Sequence, residues 1–174
     1  MKKLLVIFTA AAMMTSLAAA QTATGTLTVS ATVTGSINLV FNSDAAGVAL
    51  TSGAGTNAAS LDFGTVSAFG AIPGTIARTT TANNFTVSTP VDVLVSKTNS
   101  ASANYTLTTE LNTADAVNTW AANGTSFTNA TPATATATGT YGSNVPVTLA
   151  ITIPFTTASG TTISNVVNFT ATAN

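Results

Sequence analysis

Apolar and polar residues alternate along residues 26–41, and this run is the most regular pattern in the chain. The odd positions from Leu27 to Phe41 carry apolar residues or Gly35, whereas the even positions are polar apart from Val40. A period of two is typical of a strand with one buried face. At ~3.3 Å per residue the run would span roughly 50 Å, although strands in globular domains usually have about 3–10 residues.

This excess length leaves two interpretations open. Either the run breaks at Gly35 into two strands of one complete domain, or only its second half belongs to the domain at residues 35–174. In the second case residues 21–34 form an N-terminal extension with one apolar edge, which could complete the sheet of another molecule. The candidate donor-strand side chains, which would fill the partner's core, are Leu27, Val29, Ala31 and Val33.

Further segments repeat the period of two. Residues 85–95 and 105–111 alternate, and together with the polar residues between them they predict a β-hairpin. Pro90 interrupts the first of these strands, so we expect an edge position or a bulge there. The other predicted strands are residues 48–50, 60–66, 145–155 and 163–171, with a weak edge strand or surface connection at residues 130–138.

The absence of helical periodicity sets the fold class. No segment after residue 20 shows a convincing repeat of apolar residues at i, i+3 and i+4, and β-branched Thr and Val are abundant. About seven to nine short strands separated by turns predict an all-β protein with a β-sandwich architecture. Trp120 and Phe127 are the expected anchors that hold the irregular region at residues 113–138 to the core.

The first twenty residues predict a signal peptide. Lys2 and Lys3 precede an apolar stretch at residues 4–14, and an Ala-Ala-Ala sequence before Gln21 is a suitable cleavage site. No later segment has the ~20 apolar residues that a membrane-spanning helix needs. We therefore expect export through the periplasm to the cell surface or the medium, with no membrane span in the mature chain.

Composition excludes several kinds of chemistry. The chain has no cysteine and no histidine, which removes thiolate metal sites, cysteine nucleophiles and the commonest general base. After the signal peptide the only basic residues are Arg78 and Lys97, so no basic patch is available for nucleic acid. We expect neither a cofactor nor enzymatic activity, because no nucleophile–base or metal constellation is present.

The acidic residues have structural interpretations. Asp92, Glu110 and Asp115 are too far apart for a calcium loop or a glycosidase pair, and we predict solvated charges on strand faces. Asp62 precedes Phe63-Gly64 and predicts a turn.

Several short motifs follow one another along the chain: the alternating residues 24–33, Leu61-Asp62-Phe63-Gly64, Tyr105-Thr106-Leu107, Tyr141-Gly142 and the terminal strand that begins at Gly160. Their order resembles the spore coat protein U domain family and the related pilins of archaic chaperone–usher systems. The resemblance covers nearly all of the mature chain. The family usually has two cysteines, in regions where this chain has Ile37-Asn38 and Pro90-Val91.

The resemblance implies an immunoglobulin-like β-sandwich that lacks one strand. A periplasmic chaperone fills the gap during export to an outer-membrane usher, and the N-terminal arm of the next subunit fills it in the fibre. The implied function is a structural subunit of a surface fibre or coat, whose partners are copies of itself or related subunits. The alternative is a monomeric secreted binding module, for example for glycans, that uses its loops and Trp120.

Overall fold

The computed structural model describes residues 25–174, so the predicted signal peptide at residues 1–20 lies outside the described part. Residues 25–174 contain no helix and form two antiparallel sheets, which confirms the predicted all-β sandwich class. In the same part of the chain no helix is long and apolar enough to cross a membrane. The strands, in chain order, are β1 (Ser36–Asn42), β2 (Ala77–Thr80), β3 (Asn84–Thr98), β4 (Tyr105–Leu111), β5 (Thr119–Ala122), β6 (Thr125–Phe127), β7 (Ala133–Gly139), β8 (Asn144–Pro154) and β9 (Val167–Ala173).

The larger sheet is built on β3, which has 15 residues. Its strand order is β1-β3-β8-β5-β6, and β2 also pairs with β3. Along one side of β3, β1 covers the half from Asp92 onward and β2 covers the half up to Ser88. Pro90 therefore lies where neither strand is its neighbour, and its missing N–H leaves no ladder bond unmade. The predicted edge position is confirmed at this one point of the strand.

The smaller sheet has the order β7-β4-β9. Its central strand β4 alternates between buried and half-buried residues, and residues 84–95 of β3 in the larger sheet do the same. Apart from Lys97, which is exposed, the odd-numbered side chains of both strands are buried in one core between the sheets, as the period of two requires. The side chains with no exposed surface include Val87, Val93, Val95, Tyr105, Leu107 and Val147.

Two sequence predictions about strands are wrong. Residues 85–111 do not form a hairpin, because β3 and β4 belong to different sheets and the turn between them carries the chain across the core. Residues 48–50 and 60–66 are not strands either. Their apolar side chains pack against the core from a long connection, including Leu61 and Phe63. Asp62 does form the predicted turn, since its Oδ1 accepts a 2.7 Å hydrogen bond from the N–H of Gly64.

The region at residues 113–138 is anchored to the core by Trp120 and Phe127, as predicted. Trp120 and Phe127 are buried and lie opposite each other in the β5–β6 hairpin. The turn of that hairpin is Asn123-Gly124, and both residues have a positive φ, 47° and 80°, as a two-residue hairpin turn of type I′ requires. The Ala- and Thr-rich segment is an edge strand, β7.

We predict that Gly139→Ala lowers the free energy of unfolding by about 1–3 kcal/mol, because overpacking a closed core displaces its neighbours. A Cβ at this position would overlap the ring of Tyr105, which has no exposed surface. Urea denaturation measures the change. The matched control is Gly74→Ala, where a Cβ meets nothing within 4 Å. Equal stability of the two variants would contradict the packing described at Tyr105.

Candidate functional site

The long alternating run breaks at Gly35. The strand β1 begins at Ser36, and residues 25–35 belong to no strand. Among the candidate donor-strand residues, Ala31 is exposed, and the exposed fractions of Leu27, Val29 and Val33 are 87%, 82% and 71%. The first half of the run therefore pairs with no strand in the described part of the chain.

Glycine is needed at the break itself. A Cβ at Gly35 would lie 2.8 Å from the carbonyl oxygen of Asn99, in the turn between β3 and β4. Any side chain at this position would have to push that turn aside. Gly35 therefore passes against the turn at the point where the extension meets the domain.

The two strands β1 and β9 are edge strands of opposite sheets and run in opposite directions. Ser36 lies beside Thr98, the last residue of β3, and Ala173 lies beside Tyr105, the first residue of β4. Because one short turn joins β3 to β4, the start of β1 and the end of β9 share one end of the sandwich. Towards the other end, Phe41 and Phe169 pack edge to face, with ring centroids 5.1 Å apart.

The outer edge of β9 carries unpaired backbone groups. Hydrogen bonds to the segment that contains β4 fall at even positions: Asn112 N–H donates to Val166 O over 2.8 Å, and Asn174 N–H donates to Asn104 O over 3.1 Å. Backbone groups of alternate residues point to opposite sides of an antiparallel strand. The N–H and C=O groups of the odd residues therefore point away from β4, where residues 25–174 provide no strand. These odd residues are Val167, Phe169, Ala171 and Ala173.

The edge of β1 is partly closed. Phe41 N–H donates to Thr56 O over 2.8 Å, and Gly55 N–H donates to Phe41 O over 2.7 Å. These bonds lie on the side of β1 that faces away from β3. The backbone groups of Leu39 and Ile37 point the same way by the same alternation, and within residues 25–174 no backbone partner meets them.

An apolar groove lies between these two edges and is incompletely covered. The inward side chains of β9 and β1 are only half-buried, whereas the neighbouring Tyr105 and Leu107 of β4 have no exposed surface. The difference has a simple cause, because β4 has a strand on both sides and β9 on one. We call this surface the β1–β9 groove; its residues are Ile37, Leu39, Phe41, Val167, Phe169 and Ala171.

The sequence identified only one side of this candidate site. The four residues of the extension follow from the excess length of the alternating run. The residues of the β1–β9 groove were not recognised as a binding surface, because alternation reveals which side chains point inward but not which strands are edges. A faint signal was available in Phe41 and Phe169, which are larger than most other residues on the inward faces of these strands.

Trp120 and Tyr105 are too buried to stack against a sugar. Trp120 is 8% exposed and Tyr105 is fully buried. The indole N–H of Trp120 donates to Asp115 Oδ2 over 2.8 Å. Tyr141 packs against Tyr105 with ring centroids 5.2 Å apart, and the ammonium group of Lys97 lies 4.9 Å above its ring.

Asp115 and Asp92 accept hydrogen bonds from nearby side chains. Asp115 lies in the connection between β4 and β5 and not on a strand face, so that part of the sequence prediction is wrong. It borders a cavity of about 290 Å³ that is lined by residues 113–118 and by residues of the connection between β8 and β9. Burial, followed by the charge of Asp44, raises the pKa of Asp92. In residues 25–174 no group of three or more acidic side chains converges on a possible metal site.

Comparison of the chain with protein-family models, with curated proteins and with solved structures gave no match. The resemblance drawn from the motifs therefore stays a prediction.

The ionisation of Asp115 makes the folding stability of the protein depend on pH in the acid range. Burial alone would raise its pKa, but hydrogen bonds from Asn118, Trp120 and Val117 outweigh burial and lower the pKa from 3.8 to about 2. The charged form is thus favoured in the folded state. Its contribution to stability is complete above the ordinary pKa and disappears as the pH falls to about 2.

We therefore predict that the stability difference between the wild type and Asp115→Asn shrinks as the pH falls from 4 to 2. Urea denaturation at a series of pH values measures this difference. Trp120→Phe removes one of the hydrogen bonds to the carboxylate, so it should reduce the pH dependence without abolishing it. A difference that stays constant down to pH 2 would show that these bonds do not control the titration.

Proposed function

We propose that this protein is an exported structural subunit that polymerises by donor-strand exchange. In this proposal, the extension at residues 21–34 of one copy docks as a strand beside β9 of the next copy. The observation that carries the proposal is the state of β9, whose inward residues combine unpaired backbone groups with half-buried apolar side chains. A strand added to such an edge satisfies both at once.

The strand order supports this function. The order β1-β3-β8-β5 corresponds to strands A, B, E and D of an immunoglobulin-like sandwich, and the neighbours β4 and β9 correspond to C and F. The place of strand G, beside β9, holds no strand within residues 25–174. The resemblance to the pilins implies one missing strand, and this place would accommodate it.

The extension has the pattern that the gap requires. A docked strand must present every second side chain to the core, and the extension offers Leu27, Val29, Ala31 and Val33 on one face. Full burial of three aliphatic side chains contributes roughly 5–9 kcal/mol before the cost of ordering the extension. Backbone hydrogen bonds to β9 add to this and fix the alignment.

The contact would be between unlike surfaces, the extension of one copy and the groove of another. Such head-to-tail contacts form open filaments when the rotation between copies does not close a ring. The near absence of charge from the mature chain suits a subunit of a polymer, because a surface with little charge associates readily. By the same resemblance, a periplasmic chaperone would cover the β1–β9 groove during export and an outer-membrane usher would receive the subunit.

Neither a cofactor nor a catalytic group is part of this function.

We predict that Val29→Asp abolishes assembly of the mature chain, because it would place a carboxylate in the apolar groove without a partner. Size-exclusion chromatography with light scattering, together with resistance to SDS, measures the multimers. Thr28→Asp is the matched control. It adds the same charge to the opposite face of the extension, which would face solvent in the docked strand, so this variant should still assemble.

The wild-type result separates this proposal from the monomeric binding module. SDS-resistant multimers that Val29→Asp alone removes support strand exchange. A wild-type mature chain that remains monomeric at all concentrations, and that does not bind a peptide of residues 24–34, would contradict strand exchange and favour the binding module.

A further inference from the structure

The side chains that line the β1–β9 groove change in size along its length, and this change can select one alignment of the docked extension. The side chains of Phe41 and Phe169 meet at one level and fill the space between the sheets there. Two residues further along, towards the shared end of β1 and β9, the corresponding pair is Leu39 and Ala171. The next pair is Ile37 and Ala173, so the β9 side of the groove changes from a large residue to small ones.

The extension changes size in the opposite sense. Leu27 and Val29 are large, whereas Ala31 is the smallest of its four inward-facing residues. Close-packed interiors neither tolerate an added side chain at a filled level nor leave an empty space opposite a small one. Ala31 therefore fits the level of the two phenylalanines, and the larger residues fit the levels of the two alanines.

We propose, on the basis of the proposed function, that Ala31 sets the register of the extension when the extension docks antiparallel to β9. Ala31 then lies opposite Phe169, and Val29 lies opposite Ala171. Leu27 lies opposite Ala173, and Val33 lies opposite Val167 at the other end. Among the arrangements that place Ala31 opposite Phe169, only this one gives all four residues a partner on β9.

Neighbouring alignments pair the residues less well. A shift of two residues in one direction places Val33 against the phenylalanines and leaves Leu27 beyond the end of β9. A shift of two in the other direction places Val29 there and leaves Val33 beyond the start of β9. A parallel strand with Ala31 at the same level would likewise carry Leu27 beyond the start of β9.

The direction of the docked strand is supported by an independent feature. The chain enters β1 at Ser36, at the end of the sandwich that holds Ala173. In the antiparallel arrangement, the domain that follows the docked extension emerges at the opposite end of the acceptor, beyond Val167. The extension of the acceptor is thus left clear to reach a further copy. A parallel strand would place the incoming domain where the extension of the acceptor itself begins.

Disulfide trapping tests this alignment directly, because the chain contains no cysteine. The even residues of the docked strand and of β9 would face each other as pairs without mutual hydrogen bonds, with Cα atoms about 4.5 Å apart, a distance that a disulfide can span. The two double variants Ser30→Cys/Thr170→Cys and Thr28→Cys/Thr172→Cys should each give a ladder of covalent multimers after oxidation. The control Thr32→Cys/Thr172→Cys should give none.

The outcomes distinguish the register from the proposed function. Multimers that form but are trapped only by the control pair, or by none of the pairs, would overturn the register and leave strand exchange in place. A disulfide that forms within a single chain, or a chain that never assembles, would overturn strand exchange itself. Ser30 and Thr170, which are replaced by cysteine, are exposed, so these substitutions leave the core unchanged.

Substitutions that change the size of the side chains at positions 31 and 169 test the role of Ala31. Ala31→Leu would overpack the level of the phenylalanines and should reduce the amount of multimer by about tenfold. Combination with Phe169→Ala should restore much of the loss, and Val29→Leu, which adds one methylene group opposite Ala171, should assemble like the wild type. Assembly of Ala31→Leu at the wild-type level would overturn the assignment of Ala31.

Discussion

The constraint on which this structure depends is that every strand edge and every inward side chain of a sandwich needs a neighbour. The central strands β3, β4 and β8 meet it, because each has strands on both sides and buries most of its odd-numbered residues. β9 meets it only on the side of β4. Its inward face is half-covered for that reason, and the same missing neighbour leaves its outer backbone groups unpaired within residues 25–174.

The edge of β1 shows how the chain can cover such a gap locally. The turn at Gly55 and Thr56 folds back and pairs with Phe41, which closes one end of the groove with only a short piece of loop. The long connection between β1 and β2 thus has a structural role. Its apolar residues pack against the core, and its polar backbone pairs with the edge that β3 does not cover.

The period of two predicted most inward-facing residues correctly, because alternation depends only on one face being buried. Val87, Leu107 and Val147 all follow it. Alternation could not reveal that β3 and β4 lie in different sheets, since a hairpin and a crossing between sheets bury the same face of both strands. The alternating apolar residues Leu61 and Phe63 predicted a strand where the structure has a loop, because a loop that packs against a core also needs inward apolar residues.

The sequence predicted one of the two parts of the candidate site, the extension, but not the groove. The excess length of the run at residues 26–41 pointed to the extension, because no ordinary strand has that length. The β1–β9 groove depends on which strands have no neighbour, which is a property of the whole topology. No local pattern in β9 distinguishes it from a strand at the centre of a sheet.

The opposite directions of β1 and β9 have a mechanical consequence for a fibre of the proposed kind. Tension would enter each subunit along β1 and leave it along β9, so it would act parallel to the strands and load their ladders in shear. The hydrogen bonds between β1 and β3, over seven residues of register, would then resist together and not one after another. With no disulfide to share the load, the rate at which this ladder slips would set the lifetime of a stretched filament.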